Sequence, residues 1–166
     1  MYWYAIYTQS RHEQKVYKQL IKKEIETFLP LIEQWSRRKD RRKRIRLPLF
    51  AGYLFVRTLM DAYTHLEILK TDSVVRILGS NGKPIPIPNE QIFAIQALIK
   101  SGMAVTPCAY LREGMKVRVV NGPLIGVEGI LLKTQPQKHR LVLSVDLLKE
   151  SVSVEIDELD VEPILL

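Results

Sequence analysis

The sequence predicts an α+β protein, an α/β sandwich domain followed by a small five-stranded β-barrel. Three observations lead there. Residues 48–57 read as a strand with two apolar faces, Leu54 and Val56 pointing one way and Tyr53, Phe55 and the stem of Arg57 the other. Strand and helix patterns alternate over roughly the first 100 residues, as in a layered α/β domain. Beyond residue 110 only short strand patterns and glycine turns remain.

Residues 3–7 are aromatic and β-branched and form the first strand. Ser10 and Glu13 then stand at capping-box spacing, the serine accepting from the N3 amide and the glutamate reaching back. The helix they start runs over 11–23, with Val16 and Leu20 at i and i+4 and Ile21 alongside, facing a core. Arg11, Lys15, Lys18 and Lys22 make a second, basic stripe on it. That stripe is open to two readings, an extension of a phosphate-facing surface or an ordinary solvated face.

A second strand spans 26–32, and a long strand spans 44–58, interrupted near Pro48 and bent at Ala51-Gly52, where glycine tolerates a kink. Asp61 caps a short helix reaching Leu69. Residues 74–78 form another strand, closed by the Gly79-Ser80-Asn81-Gly82 turn. Pro84, Pro86 and Pro88 lead in extended form to a helix over 89–100, with Ile92, Ile95 and Ile99 at core spacing. Residues 101–110 have no period and hold both glycine and proline, the pattern of a linker. Strands follow at 117–119, 127–132, 141–145, 152–156 and 161–164, and a barrel closes such a sheet on itself.

Composition excludes several classes. A 166-residue chain with 46% hydrophobic residues folds rather than staying disordered. No run approaches the ~18 uncharged apolar residues of a bilayer span, and Met1-Tyr2-Trp3-Tyr4 lacks a signal-peptide layout, so a cytoplasmic protein without a membrane partner is expected. A single cysteine, Cys108, excludes an intramolecular disulfide and a cysteine-rich zinc site. His12, His65 and His139 lack metal or triad spacing, and no glycine-rich phosphate loop follows a strand. No catalytic residue, metal or cofactor is expected, and the chain does not read as an enzyme.

The net charge of +7 is concentrated, because residues 37–46 hold eight of the 25 Lys and Arg against one acid. The tract reads as a basic hairpin tip or loop facing phosphates, and the bland alternative is a solvated loop or a localisation-type tract. Such a tract attracts any polyanion and carries no sequence information.

Together the two halves resemble the NusG-type transcription elongation factors. The first strand before an amphipathic helix, then residues 48–56, Val74-Val75-Arg76 and Pro84-Ile85-Pro86-Ile87, look like their amino-terminal NGN domain. Val117-Arg118-Val119 through Asn121-Gly122-Pro123 and residues 126–129 look like their carboxy-terminal KOW domain, an SH3-like barrel. The resemblance covers essentially the whole chain. A KOW element alone is weak, since ribosomal proteins carry it, but behind this first domain it is specific. The implied domains are 1–101 (NGN), 102–110 (flexible linker) and 111–166 (KOW).

The resemblance implies a monomeric factor that rides on bacterial RNA polymerase, closes its clamp and suppresses pausing. It assigns contact with the clamp helices of the largest subunit to Tyr7, Phe50, Tyr53 and Phe55. Contact with the gate loop of the other large subunit falls to Ala62, Tyr63 and Thr64. Arg11, Lys15, Arg37, Arg38, Arg41, Arg42, Lys43 and Arg44 become candidates for non-template or upstream DNA. Leu147 and Leu148 become the apolar tip through which the KOW domain recruits a ribosomal small-subunit protein or Rho.

Two family readings compete, a general factor acting with Rho and a specialised antiterminator of the RfaH or UpxY type. Residues 7–13 and 50–55 favour the specialised branch, although the family more often has proline where Ala51 stands. A reading of another class is a ribosome-associated KOW protein that binds RNA, which would explain the charge but not the paired aromatics. Valines such as Val117, Val119, Val142, Val145, Val152 and Val154 favour a stable barrel over a refolded helical form.

Overall fold

A computed structural model describes residues 1–35, 43–134 and 138–165. Contacts divide the chain into two units, Met1–Ile87 and Pro88–Leu166. In the first unit the elements run β1 (Tyr2–Thr8), α1 (Glu13–Lys22), β2 (Glu26–Phe28), β3 (Leu31–Trp35), β4 (Arg44–Pro48), β5 (Tyr53–Thr58), α2 (Ala62–Leu69) and β6 (Val74–Ile77). A small hairpin of β7 (Gly79–Ser80) and β8 (Lys83–Pro84) follows.

Four of these strands form an antiparallel sheet in the order β2-β5-β1-β6. The strand expected to have two apolar faces is β5, at the middle of that sheet. Leu54 and Val56 join Tyr4 and Ile6 on one face and pack with Val16 and Leu20 of α1 and Ile68 of α2 in one buried cluster. At ~25 cal/mol per Å² of apolar area, each fully buried aliphatic side chain there contributes roughly 1.5–3 kcal/mol. The opposite face carries Trp3, Ala5 and Tyr7 of β1 with Tyr53 and Phe55 of β5, by alternation along paired strands.

Several local expectations change. The Ser10–Glu13 capping box does not form, because Arg11 takes a left-handed φ of 63° and the helix begins only at Glu13. His12 occupies the N-cap without a side-chain cap bond, and its Nδ1 lies 3.0 Å from the Ser73 hydroxyl oxygen. Ile21 is exposed rather than core. The expected strand 26–32 is two, since Pro30 has no amide to donate to a ladder. The expected long strand 44–58 is likewise two, separated by the turn 49–52. As a result, among the described residues β3 and β4 pair only with each other. By contrast α2 is capped as expected, Asp61 Oδ1 accepting from the Thr64 amide at 2.7 Å. That bond is the main cause holding the Asp61 carboxyl below its ordinary value.

The second unit comprises α3 (Asn89–Ser101), β9 (Thr106–Cys108), β10 (Met115–Val119), β11 (Glu128–Lys133), β12 (His139–Val145), β13 (Glu150–Ile156) and β14 (Val161–Pro163). Its antiparallel sheet has the order β14-β10-β11-β12-β13-β9. The five expected strands are all present. The sixth, β9, comes from the segment read as a linker, where Thr106, Pro107 and Cys108 pair with Ser153, Val152 and Ser151. Strands β12 and β13 are buried along most of their length, with Leu141, Val142, Leu143, Val145, Val152 and Val154 in the core. Gly129 is required by close approach, because a Cβ there would lie 2.6 Å from the Val142 carbonyl oxygen. Helix α3 buries Ile92 and Ile95 as expected, with Leu98 fully buried and Ile99 only half-buried.

Candidate functional site

Strand pairing builds an aromatic row across one face of the first sheet. Tyr7 stands directly opposite Tyr53, and Ala5 opposite Phe55, which is in turn opposite Phe28 on β2. The Tyr7 and Tyr53 ring centroids are 5.1 Å apart and tilted by 45°. Phe55 stacks on Phe28 at 6.1 Å and meets Phe50 edge-on at 6.2 Å, while Trp3 meets Phe28 edge-on at 6.3 Å. Tyr7 and Tyr53 are half-buried, whereas Phe50 and Phe55 are 1% and 0% exposed. The four residues expected to form one contact patch therefore divide into an accessible tyrosine pair and two phenylalanines beneath the surface.

The tyrosine end of the row is held by a turn. Gly52 has φ +87°, and a Cβ there would come within 3.1 Å of Tyr7 Cε1, so glycine lets the turn close beneath the ring. The Gly52 amide donates to Glu13 Oε2 at 3.1 Å, and its carbonyl accepts from the Thr8 amide at 2.8 Å. The carboxylate expected to cap its own helix thus anchors the turn after β4. On the other side Arg76 of β6, opposite Tyr7 in register, places its guanidinium carbon 5.7 Å from the Tyr7 ring centroid. Neither Glu13 nor Arg76 is legible as a site residue in the sequence. A register assignment of β1 against β6 would reveal Arg76 opposite Tyr7, whereas Glu13 reaches the Gly52 turn from α1, outside any strand ladder.

The second expected contact is compact. Ala62 and Tyr63 are exposed at the start of α2, Tyr63 at 73%, and Thr64 is half-buried with its amide held by the Asp61 cap.

The basic candidates are only partly described. Arg37, Arg38, Arg41 and Arg42 lie outside the described residues. Lys43 and Arg11 are exposed, while Lys15 pairs with Asp72 at 2.7 Å, which lowers the Asp72 carboxyl. Arg44 Nη1 donates to Glu33 Oε2 at 3.3 Å, and its guanidinium lies 5.4 Å from the Trp35 ring centroid.

In the second unit Leu147 and Leu148 lie in a one-turn 3-10 helix, Asp146–Leu148, rather than on a strand. Leu148 is buried and Leu147 half-buried, so Leu147 is the accessible member of the pair. Asp146 is held twice by Gln91 of α3: Gln91 Nε2 donates to Asp146 Oδ2 at 2.9 Å, and the Asp146 amide donates to Gln91 Oε1 at 3.1 Å. The Tyr110 hydroxyl donates to Asp146 Oδ1 at 2.8 Å, which raises the Tyr110 phenol. Among the described residues no group of histidine, cysteine and carboxylate side chains could hold a metal ion. No described helix is long and apolar enough to cross a membrane.

A family model described as "Transcription termination factor nusG" matches residues 1–96, more than half of the chain. The chain belongs to the NusG family. The "Transcription termination/antitermination protein NusG" of Helicobacter pylori is 27% identical, over 99% of this chain and 99% of its own length. The protein of the same description from Escherichia coli O6:H1 is 30% identical, over 82% of this chain and 77% of its own length. Among solved structures, one described as "Domain interaction in Thermotoga maritima NusG" superposes with a TM-score of 0.59, covering 99% of this chain and 97% of that one. At 20% identity this likeness shows the fold alone, a mixed α+β NusG architecture with a six-stranded sheet in the second unit that suits a KOW domain. NusG proteins are transcription factors rather than enzymes, and the relatives are named for termination and antitermination.

Proposed function

We propose that this chain binds elongating bacterial RNA polymerase through the aromatic row of its first unit, holds the clamp closed, suppresses pausing and promotes antitermination at selected operons. The observation that carries the reading is the accessible Tyr7–Tyr53 pair, on the same sheet face as buried Phe55 and held by the Gly52 turn. Clustered aromatics on a rigid sheet are the commonest anchors of protein interfaces. Tyr63, exposed at the start of α2, is the anchor for the gate loop of the other large subunit.

A protein that binds the closed clamp better than the open one shifts the population toward closed by that difference in affinity. Two contacts on separate subunits achieve this only when both are made. The basic residues between Trp35 and Leu47 meet non-template or upstream DNA, and Leu147 on the second unit recruits a further partner, a ribosomal small-subunit protein or Rho. A separable first domain of 1–101 and barrel of 111–166, and a cytoplasmic location, go with this reading.

The general factor acting with Rho is the second reading. Similarity over nearly the whole length to relatives named for both termination and antitermination favours it. Single-round transcription through a pause site, and separately through a Rho-dependent terminator, decides between the two. Reduced pausing with unchanged termination supports the specialised reading, and enhanced termination supports the general one. Unchanged pausing overturns both.

A further inference from the structure

We propose that Trp35 is a stacking platform for an unpaired nucleotide base. Trp35 ends β3 and is 61% exposed, while the chain's other tryptophan, Trp3, is 9% exposed and packs on Phe28. In the β3–β4 register Trp35 stands opposite Arg44, and Glu33 opposite Arg46. Side chains alternate along each strand, so Glu33, Trp35, Arg44 and Arg46 share one face of this hairpin. The Arg44 guanidinium covers one side of the indole at 5.4 Å and also donates to Glu33 at 3.3 Å. Both members of that ion pair are largely exposed, so the pair adds little stability. Its effect is to hold a cation against an open aromatic ring.

Arg44 and Arg46 of this hairpin also belong to the densest charge in the sequence, residues 37–46. Positive charge draws in any phosphate backbone, but an indole has no use for phosphate. It stacks on the π-face of a base, aided by a neighbouring arginine. A duplex hides those faces between neighbouring pairs, so the ligand is a single strand. The simpler role for Trp35 is a cross-strand prop for a two-stranded hairpin. A prop would not respond to a base.

The inference rests on the reading that the basic tract meets nucleic acid, and the test separates the two. In the full chain carrying Trp3→Phe, Trp35 is the sole tryptophan emitter. This protein is titrated with oligo-dT and oligo-rU of about 12 nucleotides and with a DNA duplex of matching length, at several salt concentrations. Single strands should quench the emission saturably, and the duplex should bind with a salt-dependent slope while leaving it unchanged. Quenching by oligo-dT alone assigns the strand to DNA, by oligo-rU alone to RNA, and either supports the stack.

Trp35→Leu should weaken single-strand binding by roughly 5- to 100-fold with the same salt slope, and Trp35→Phe should recover most of the loss. If Trp35→Leu loses strand signal in circular dichroism, the parent's quenching and the Trp35→Phe affinity carry the test. Quenching by the duplex as strong as by single strands, or Trp35→Leu binding like the parent while the slope persists, overturns the stack and leaves the tract reading standing. Absence of any salt-dependent binding overturns both.

Discussion

Glu13 at the start of α1 accepts a hydrogen bond from the backbone amide of Gly52, thirty-nine residues away, at 3.1 Å. Glu13 is 5% exposed, and Gly52 is also buried. Replacing Glu13 by alanine strands a buried donor, which costs about 1–3 kcal/mol. Urea unfolding should show that loss, with a smaller one for Glu13→Gln, whose amide oxygen still accepts. Equal stability of Glu13→Ala and the parent would mean that water replaces the carboxylate.

Gly52→Ala tests the same turn from its other side. An alanine must adopt φ +87° and press its Cβ to 3.1 Å from the Tyr7 ring, a combined strain of about 1–2 kcal/mol. If the tyrosine pair is the polymerase anchor, displacing Tyr7 should weaken polymerase capture as well as stability. Wild-type affinity in a destabilised Gly52→Ala protein would separate turn from anchor.

The accessible and buried halves of the aromatic row should respond differently. Tyr7→Ala with Tyr53→Ala should keep the native circular dichroism spectrum and lose roughly 2–4 kcal/mol of polymerase binding. Phe55→Ala should instead lower stability by about 3–5 kcal/mol, as a fully buried ring does. A Tyr7/Tyr53 double variant that fails to fold would mark the tyrosines as core.

Salt dependence tests the basic tract. Alanine at Arg37, Arg38, Arg41 and Arg42 should flatten the log–log salt slope of elongation-complex binding by about two units if two or three of them meet phosphate. An unchanged slope in the quadruple variant would assign the charge to solubility.

Acid and neutral pH should act on the two units in opposite senses. Half-buried Glu150 has its carboxyl raised above the ordinary 4.5 by loss of solvation. Its contribution is therefore full below 4.5 and is lost as pH rises through the raised folded value. In the first unit the bond from Lys15 lowers Asp72 below 3.8, so its contribution is present above 3.8 and lost as pH falls through the lower folded value. Unfolding curves across this range should show Glu150→Gln gaining on the parent as pH rises. Asp72→Asn should lose its disadvantage in acid. A Glu150→Gln curve parallel to the parent's would sink the first expectation.

Much of the fold was legible because it rests on period. The alternation of residues 53–56 put Leu54 and Val56 in the core, and the spacing of Ile92 and Ile95 marked the buried stripe of α3. What escaped depends on partners distant in sequence. Nothing local tells Glu13 to bond Gly52 rather than its own helix, and the capping-box pattern pointed the other way. Thr106-Pro107-Cys108 has no strand pattern of its own and becomes a strand by pairing with β13. For the site, strand alternation gave the row on which Tyr53 and Phe55 stand. It could not say that Phe55 is sealed under neighbouring rings, since that depends on Phe28 and Phe50 arriving from other segments.

The proline break after β2 has an evolutionary consequence. Because, among the described residues, β3 and β4 ladder only to each other, a change in this hairpin shifts no register in the four-stranded sheet. Lineages can therefore lengthen, shorten or recharge this arm while the tyrosine pair keeps its geometry. If the tyrosine pair is the polymerase anchor and the arm meets nucleic acid, as proposed, the two contacts can change under separate selection.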